Sequence, residues 1–257
     1  MINWSCDQKT LVSLIKRDPV APLEIISMGQ CGFILKMNGL RIAIDLVVSD
    51  LLYAGSSTSR RQIPPPFPAA LCPPIDAFLV SHDHADHNDY EFLSKRLEAD
   101  PSVILMAPEV VRRQYDSSRF ALPFVHPIAV AHETYSTDAG GNPLAYGFII
   151  DTPVGSIFHS GDAVVTDRLV NELKIAERSW IMMMLPINGR GKHGVVGNMN
   201  IPEAIALAKE FKTTYLVPTH WDLFRENGAD IDDFVERART AGQQYLIQHP
   251  GEVWDFA

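Results

Sequence analysis

Cysteine is scarce. Cys6, Cys31 and Cys72 are an odd number, far apart and without a CxxC pair. A disulfide framework is thereby excluded, and a reducing compartment is the natural setting. All three are expected to be buried as small apolar residues. No stretch approaches the roughly 20 consecutive apolar residues of a membrane-spanning helix. The segment Met1–Arg17 mixes Asp7, Lys9, Lys16 and Arg17 with Leu11, Leu14 and Ile15. That pattern is not a signal peptide; it predicts a short amphipathic helix ending before Pro19, so a cytoplasmic protein is expected.

Positive charge is also short, with 22 Lys and Arg against 31 Asp and Glu and a net charge of −9. This speaks against a partner held through many phosphates, long nucleic acid above all. A local basic pocket for one small anion stays open. The apolar share of 46% and charged share of 21% are those of an ordinary globular protein, which excludes disorder, collagen and coiled coil.

The elements are read from periodicity and turn chemistry. Gly32–Met37 and Leu40–Leu46 flank Asn38-Gly39, a strong hairpin signal. Residues 54–74, Ser-rich and then Pro-rich, read as a long loop, either functional or a plain connector. Strands are expected at 77–80, 102–106, 127–131, 146–151, 156–159, 181–185, 215–217 and 245–248. Helices are expected at about 89–99, with Asn88 and Glu91 as a capping box, at 201–211, capped by Asn200 and Glu203, and at 231–241, stopping at Gly242. No internal repeat or composition break divides the chain, so one layered α/β domain over residues 1–257 is expected.

Chemistry concentrates in His82-Asp83-His84-Ala85-Asp86-His87, after a strand and before a helix. An extended backbone points His82 and His84 to one side. Asp86 and His87, at the turn into the helix, can face a second position beside the first. Imidazole and carboxylate suit zinc and its first-row neighbours. His132, Asp162 and His220 each follow an apolar extended run in the same way. Any one alone reads as a turn cap; their repetition favours one shared site.

These residues carry a resemblance. The run at 82–87 matches the HxHxDH signature of the metallo-β-lactamase superfamily, and the later positions are similar to its remaining ligand motifs in order. Within the superfamily the chain resembles the branch of the L-ascorbate-6-phosphate lactonase and related metal-dependent hydrolases. Met28–Lys36, Tyr146–Asp162, Leu185–Arg190 and Val217–His220 carry that narrower likeness, within a span of about Leu23 to Trp254. The resemblance implies a four-layer αββα sandwich and two divalent transition metal ions, zinc or manganese. It implies His82, His84 and His132 on one ion, Asp86, His87 and His220 on the other, and Asp162 bridging. The chain departs from the lactonase at His132, which has no clear counterpart there, and at Trp221, where that enzyme carries another histidine.

His126 competes with His132 for the ligand role, although Pro127 fixes it in extended backbone short of the strand end. His159 reads as support or packing rather than metal contact. Two ions about 3.5–4 Å apart can share a hydroxide acidified toward pH 7, the expected nucleophile. Asp86 is then the residue to orient the water or pass a proton to the leaving group. The stretch Asn188-Gly189-Arg190-Gly191-Lys192-His193-Gly194 is basic in an acidic chain. Asn188, Arg190 and Lys192 are the expected grip on a small anionic substrate. The expected activity is hydrolysis of a lactone or ester of a sugar-phosphate-like molecule. A phosphodiesterase and a non-catalytic binding protein are the competing readings, and a homo-oligomer stays open.

Overall fold

The run Ile181-Met182-Met183-Met184-Leu185 has no polar side to turn to water, so a strand can hold it only with both faces covered. That is how a computed structural model of the chain disposes of it. The structure describes residues 3–50, 61–115, 121–190, 196–224 and 227–257. Met182 and Met184 enter one apolar core and Met183 another, the period of two that a pleated strand imposes.

In chain order the strands are β1 (Leu23–Gly29), β2 (Gly32–Met37), β3 (Leu40–Ile44), β4 (Ala77–Leu79) and β5 (Ile104–Met106). Then come β6 (Val125–Ala129), β7 (Tyr146–Thr152), β8 (Gly155–His159) and β9 (Trp180–Pro186). The short pair β10 (Asn188–Arg190) and β11 (Val196–Asn200) precedes β12 (Tyr215–Thr219) and β13 (Val253–Phe256). One sheet has the order β13-β1-β2-β3-β4-β5 and the other β12-β9-β8-β7-β6, each mixing parallel and antiparallel pairs.

The same alternation runs through both sheets. Ile25, Phe33, Leu35, Ile42 and Leu79 of the first meet Phe148, Ile150, Ile157 and Met184 of the second in the central core. Their neighbours Ile26, Ile34, Ala43 and Phe78 face outward, under Leu11 and Ile15 of helix α1 (Gln8–Lys16) and Phe92, Leu93 and Leu97 of α2 (Tyr90–Ala99). A short α3 (Glu109–Arg112) follows β5. On the far side, Ile149, Phe158, Met183 and Leu216 pack beneath α4 (Asp167–Ala176), α5 (Ile201–Glu210) and α6 (Ile231–Ala241). Helices, sheet, sheet and helices give the expected four layers.

Several boundaries differ from expectation. The cap of α2 is Asp89, whose carboxylate accepts from the Phe92 amide at 3.2 Å. Asn88 cannot serve, because its amide is still folded into the preceding turn on the His84 carbonyl at 2.7 Å; its side chain donates to Asp83 instead. The Asn200–Glu203 capping box and the Gly242 stop are present. The segment 245–248 forms only an isolated parallel bridge, Tyr245 beside Leu216, on the edge of β12 away from β9. The terminal strand is β13, paired with β1. Cys31 is buried, whereas Cys6 and Cys72 are half-buried, and all three are free. The first part of the loop 54–74 lies outside the described residues. Among the described residues no helix is long and apolar enough to cross a membrane.

Candidate metal centre

Strands β8 and β12 both run parallel to β9, and β4 runs parallel to β3 and β5. Side chains that follow the carboxyl ends of β3, β4, β8 and β12 therefore meet at one edge of the sandwich. Asp45 follows β3, the histidine run follows β4, Asp162 follows β8 and His220 follows β12.

On one side His82 Nε2 and His84 Nδ1 stand 2.9 Å apart. The His132 ring lies 5.1 Å from that of His82 and 5.0 Å from that of His84. The three offer nitrogens within 4.8 Å of one another. His132 Nδ1–H donates to the Gly197 carbonyl at 2.8 Å, which leaves Nε2 with a lone pair directed into the group. His82 is held well below the ordinary imidazole range, by burial first and then by His87, so it stays neutral.

The second group holds Asp86, His87 and His220, also within 4.8 Å. Its ring His87 stands 4.2 Å from that of His82, so the two groups are side by side. Asp162 joins this second group, with Oδ1 3.4 Å from His87 Nε2 and Oδ2 3.1 Å from His220 Nε2. Burial opposes charge on every member. Even so, the pairing of His87 and His220 with the carboxylates holds Asp86 and Asp162 well below the usual carboxylate range. The same carboxylates, against burial, raise His87 well above its ordinary value and push His220 up to about 10. Two buried carboxylates thus recruit protons onto the imidazoles, the demand that a divalent cation would meet in their place.

A finer mark is the buried Nε2 of His87, which has no hydrogen-bond partner among the described residues. Its Nδ1–H donates to Asp45 Oδ2 at 2.8 Å, so Nε2 is the nitrogen turned to Asp86 and Asp162, and a cation held there would displace its proton and take the lone pair. An imidazole fixed in this way by a carboxylate is how proteins orient a metal ligand. The donor set and this orphaned nitrogen fit a divalent transition ion.

Sequence reasoning passed over Asp45, Gln30 and Ser81. Asp45 also accepts from the Ser81 amide at 2.8 Å and the Ser81 hydroxyl at 2.7 Å. Gln30 Nε2 donates to Asp86 Oδ2 at 3.0 Å. The available signal was Asp45 closing the apolar run Ile42-Ala43-Ile44, the same relation that marked Asp162. Asp45, Gln30, Glu133 and His220 all adopt positive φ, at 42°, 57°, 61° and 58°, strain of the kind that gathers at functional sites.

His126 lies on the edge strand β6, half-exposed, paired with Asp151 at 3.1 Å. His159 Nε2 donates to the Cys31 carbonyl at 2.9 Å and its Nδ1 accepts from the Gly161 amide at 3.1 Å, so both ring nitrogens are engaged. Two cavities of about 390 Å³ flank the histidines. One is polar, with Asp86, Asn188, Asn198, Asn227 and His220 on its wall. The other is more apolar, with Val110, Val130, Leu144 and Ala145. Asn188 accepts from Asn198 at 2.8 Å and donates to Asn227 at 3.0 Å. The backbone of Arg190 pairs with Val196; its side chain and Lys192 lie outside the described part of the structure.

Known proteins share this frame. The chain is 27% identical over 244 residues to the UPF0173 metal-dependent hydrolase of Pyrobaculum neutrophilum, covering 90% of this chain and 99% of that one. It is 21% identical over 250 residues to the UPF0173 metal-dependent hydrolase of Carboxydothermus hydrogenoformans, with the same coverage. Among solved structures it is similar in fold to an isothiocyanate hydrolase from Delia radicum gut bacteria. The TM-score there is 0.70 at 17% identity, over 91% of this chain and 99% of that one. It is also similar to CmlA, a diiron β-hydroxylase from Streptomyces venezuelae, with a TM-score of 0.66 at 13% identity, over 93% of this chain and 55% of that one. The model of the beta-lactamase superfamily domain matches residues 41–221, which take in the whole histidine run, His132, Asp162 and His220. The chain belongs to this superfamily and has the α/β metallo-β-lactamase fold.

Proposed function

We propose that the chain is a metal-dependent hydrolase that holds two divalent transition ions, zinc or manganese. His82, His84 and His132 would hold one and Asp86, His87 and His220 the other, with Asp162 shared between them. The observation that carries this is the pair of three-residue groups, side by side at one edge of the sandwich and each compact enough for a single ion. The curated relatives, metal-dependent hydrolases by name, support the same reading. When bound, such ions supply an acidified water as nucleophile and polarise a carbonyl or phosphoryl oxygen.

The chain's own residues supply the rest. Asp86 lines the polar cavity with Oδ2 anchored by Gln30, so it can accept a hydrogen bond from the attacking water and then pass a proton to the leaving group. No nucleophilic serine or cysteine is needed. The substrate is a small lactone or ester, of the lactonase-like kind, met in the cytoplasm; the three free cysteines agree with a reducing compartment. Its anionic end is assigned to Arg190 and Lys192 from their composition alone. Asn188, Asn198 and Asn227 offer neutral hydrogen-bond partners along the cavity.

The test is kinetics of the metal-loaded protein on a phosphorylated sugar lactone, a neutral lactone and an activated phosphodiester. Metal-dependent lactone hydrolysis is expected, with kcat/KM for the phosphorylated lactone tenfold to a hundredfold higher, roughly the value of one charge-assisted hydrogen bond. Equal rates on both lactones would remove the anionic preference. Turnover of the diester alone would replace the lactonase by a phosphodiesterase, and inertness toward all three would reject both.

A further inference from the structure

Gln30 and Cys31 form the tight turn between β1 and β2, directly behind the second ligand group. The turn is pinned from several sides. The Gln30 amide donates to Asp222 at 2.9 Å, and its carbonyl accepts from Gln248 at 2.6 Å. His159 then clamps the Cys31 carbonyl on one ring nitrogen and the Gly161 amide on the other, which fixes this turn against the one that carries Asp162. A cysteine that only fills space sits among apolar side chains. Cys31 is fully buried but, among the described residues, belongs to none of the four packed apolar clusters. Its sulfur faces Asp162 Oδ1 at 4.0 Å, and Cys31, His87 and Asp162 offer donor atoms within 4.8 Å of one another. His87 contributes the independent mark, since its buried Nε2 has no hydrogen-bond partner among the described residues.

We infer that the Cys31 sulfur is itself a ligand of the ion proposed on His87 and Asp162, and that it tilts the centre toward zinc over manganese. The inference rests on the two-ion reading above. Zinc bonds of about 2.3 Å to sulfur and 2.0–2.2 Å to oxygen together reach across 4.0 Å, so the turn need not move. On coordination the S–H bond breaks, the sulfur lone pair goes to the metal and the proton is released to water, as for any metal-bound thiol. Thiolate favours zinc, whereas carboxylate and water suit manganese.

X-ray absorption of the zinc-loaded protein, with metal content measured on the same sample, decides the matter. One sulfur neighbour at about 2.3 Å per two zinc ions is expected. Cys31→Ala should lose it, and the preference for zinc over manganese should fall by roughly tenfold or more. The cobalt-loaded protein should show a thiolate-to-metal charge-transfer band that Cys31→Ala abolishes. If that variant fails to fold, the wild-type spectra still decide. Full metal loading with only nitrogen and oxygen neighbours would overturn the thiolate and leave the hydrolase reading standing. A folded chain that binds no metal would overturn both.

Discussion

Asp45 lies outside the histidine run and bonds His87 within it, and the orientation of the second group depends on it. It accepts from Nδ1–H of His87 and from two donors of Ser81, so one carboxylate fixes both the ring orientation and the backbone entering the histidine run. Asp45→Ala should leave the chain folded by circular dichroism and weaken metal binding about 10–100-fold in chelator competition. Unchanged affinity would mean that His87 is oriented without it. At this scale the sequence exposed what is clustered. Three histidines and two aspartates within six positions have few uses other than ligation, and the rule that site residues follow apolar strands pointed to Asp162 and His220, which the structure brings to the same group. Asp45 obeys the same rule. It was passed over because an aspartate after a strand ordinarily closes a turn, and nothing local says which histidine lies across from it. Pro127 already counted against His126, and the surroundings agree, with His132 beside His82 and His84 and His126 paired with Asp151 on an edge strand.

Elements with a signal of their own were legible: the Asn-Gly hairpin, the capping box of α5 and the glycine stop of α6. Strand β13 was not, because its partner, β1, lies at the other end of the chain; β1 was passed over too, although it also pairs with its neighbour β2. Helix α4 does carry a start signal in Thr166, whose hydroxyl accepts from the Leu169 amide at 3.1 Å, but its apolar face is narrow, with only Leu169 and Leu173 buried. The element that most constrains the site is the turn after β8. Gly161 sits at φ 56°, and a Cβ there would stand 2.5 Å from the Cβ of Ser81, which bonds Asp45. Gly161→Ala should therefore cost roughly 2–4 kcal/mol by denaturant titration, the sum of a left-handed alanine and an overpacked contact. It should also lower metal content, because the displaced groups are Ser81 and Asp162. A stable variant with full metal content would show that this turn has slack.

Over the whole molecule, two sheets press their inner faces together and leave one edge where strand ends from both converge. Cores on either side keep that edge rigid, and strained backbone at Gln30, Asp45, Glu133 and His220 is concentrated there. The four-layer architecture was implied by the family resemblance, and strands too apolar to face water on either side agree with it; the substrate does not follow from it, since the similar frames include a hydrolase and a diiron β-hydroxylase. The central claim is that this edge is a two-ion centre. Elemental analysis of the folded chain, reconstituted with zinc or manganese and freed of excess metal, tests it most directly. The arrangement predicts close to two ions per chain, whereas less than half an equivalent in a folded sample would contradict it.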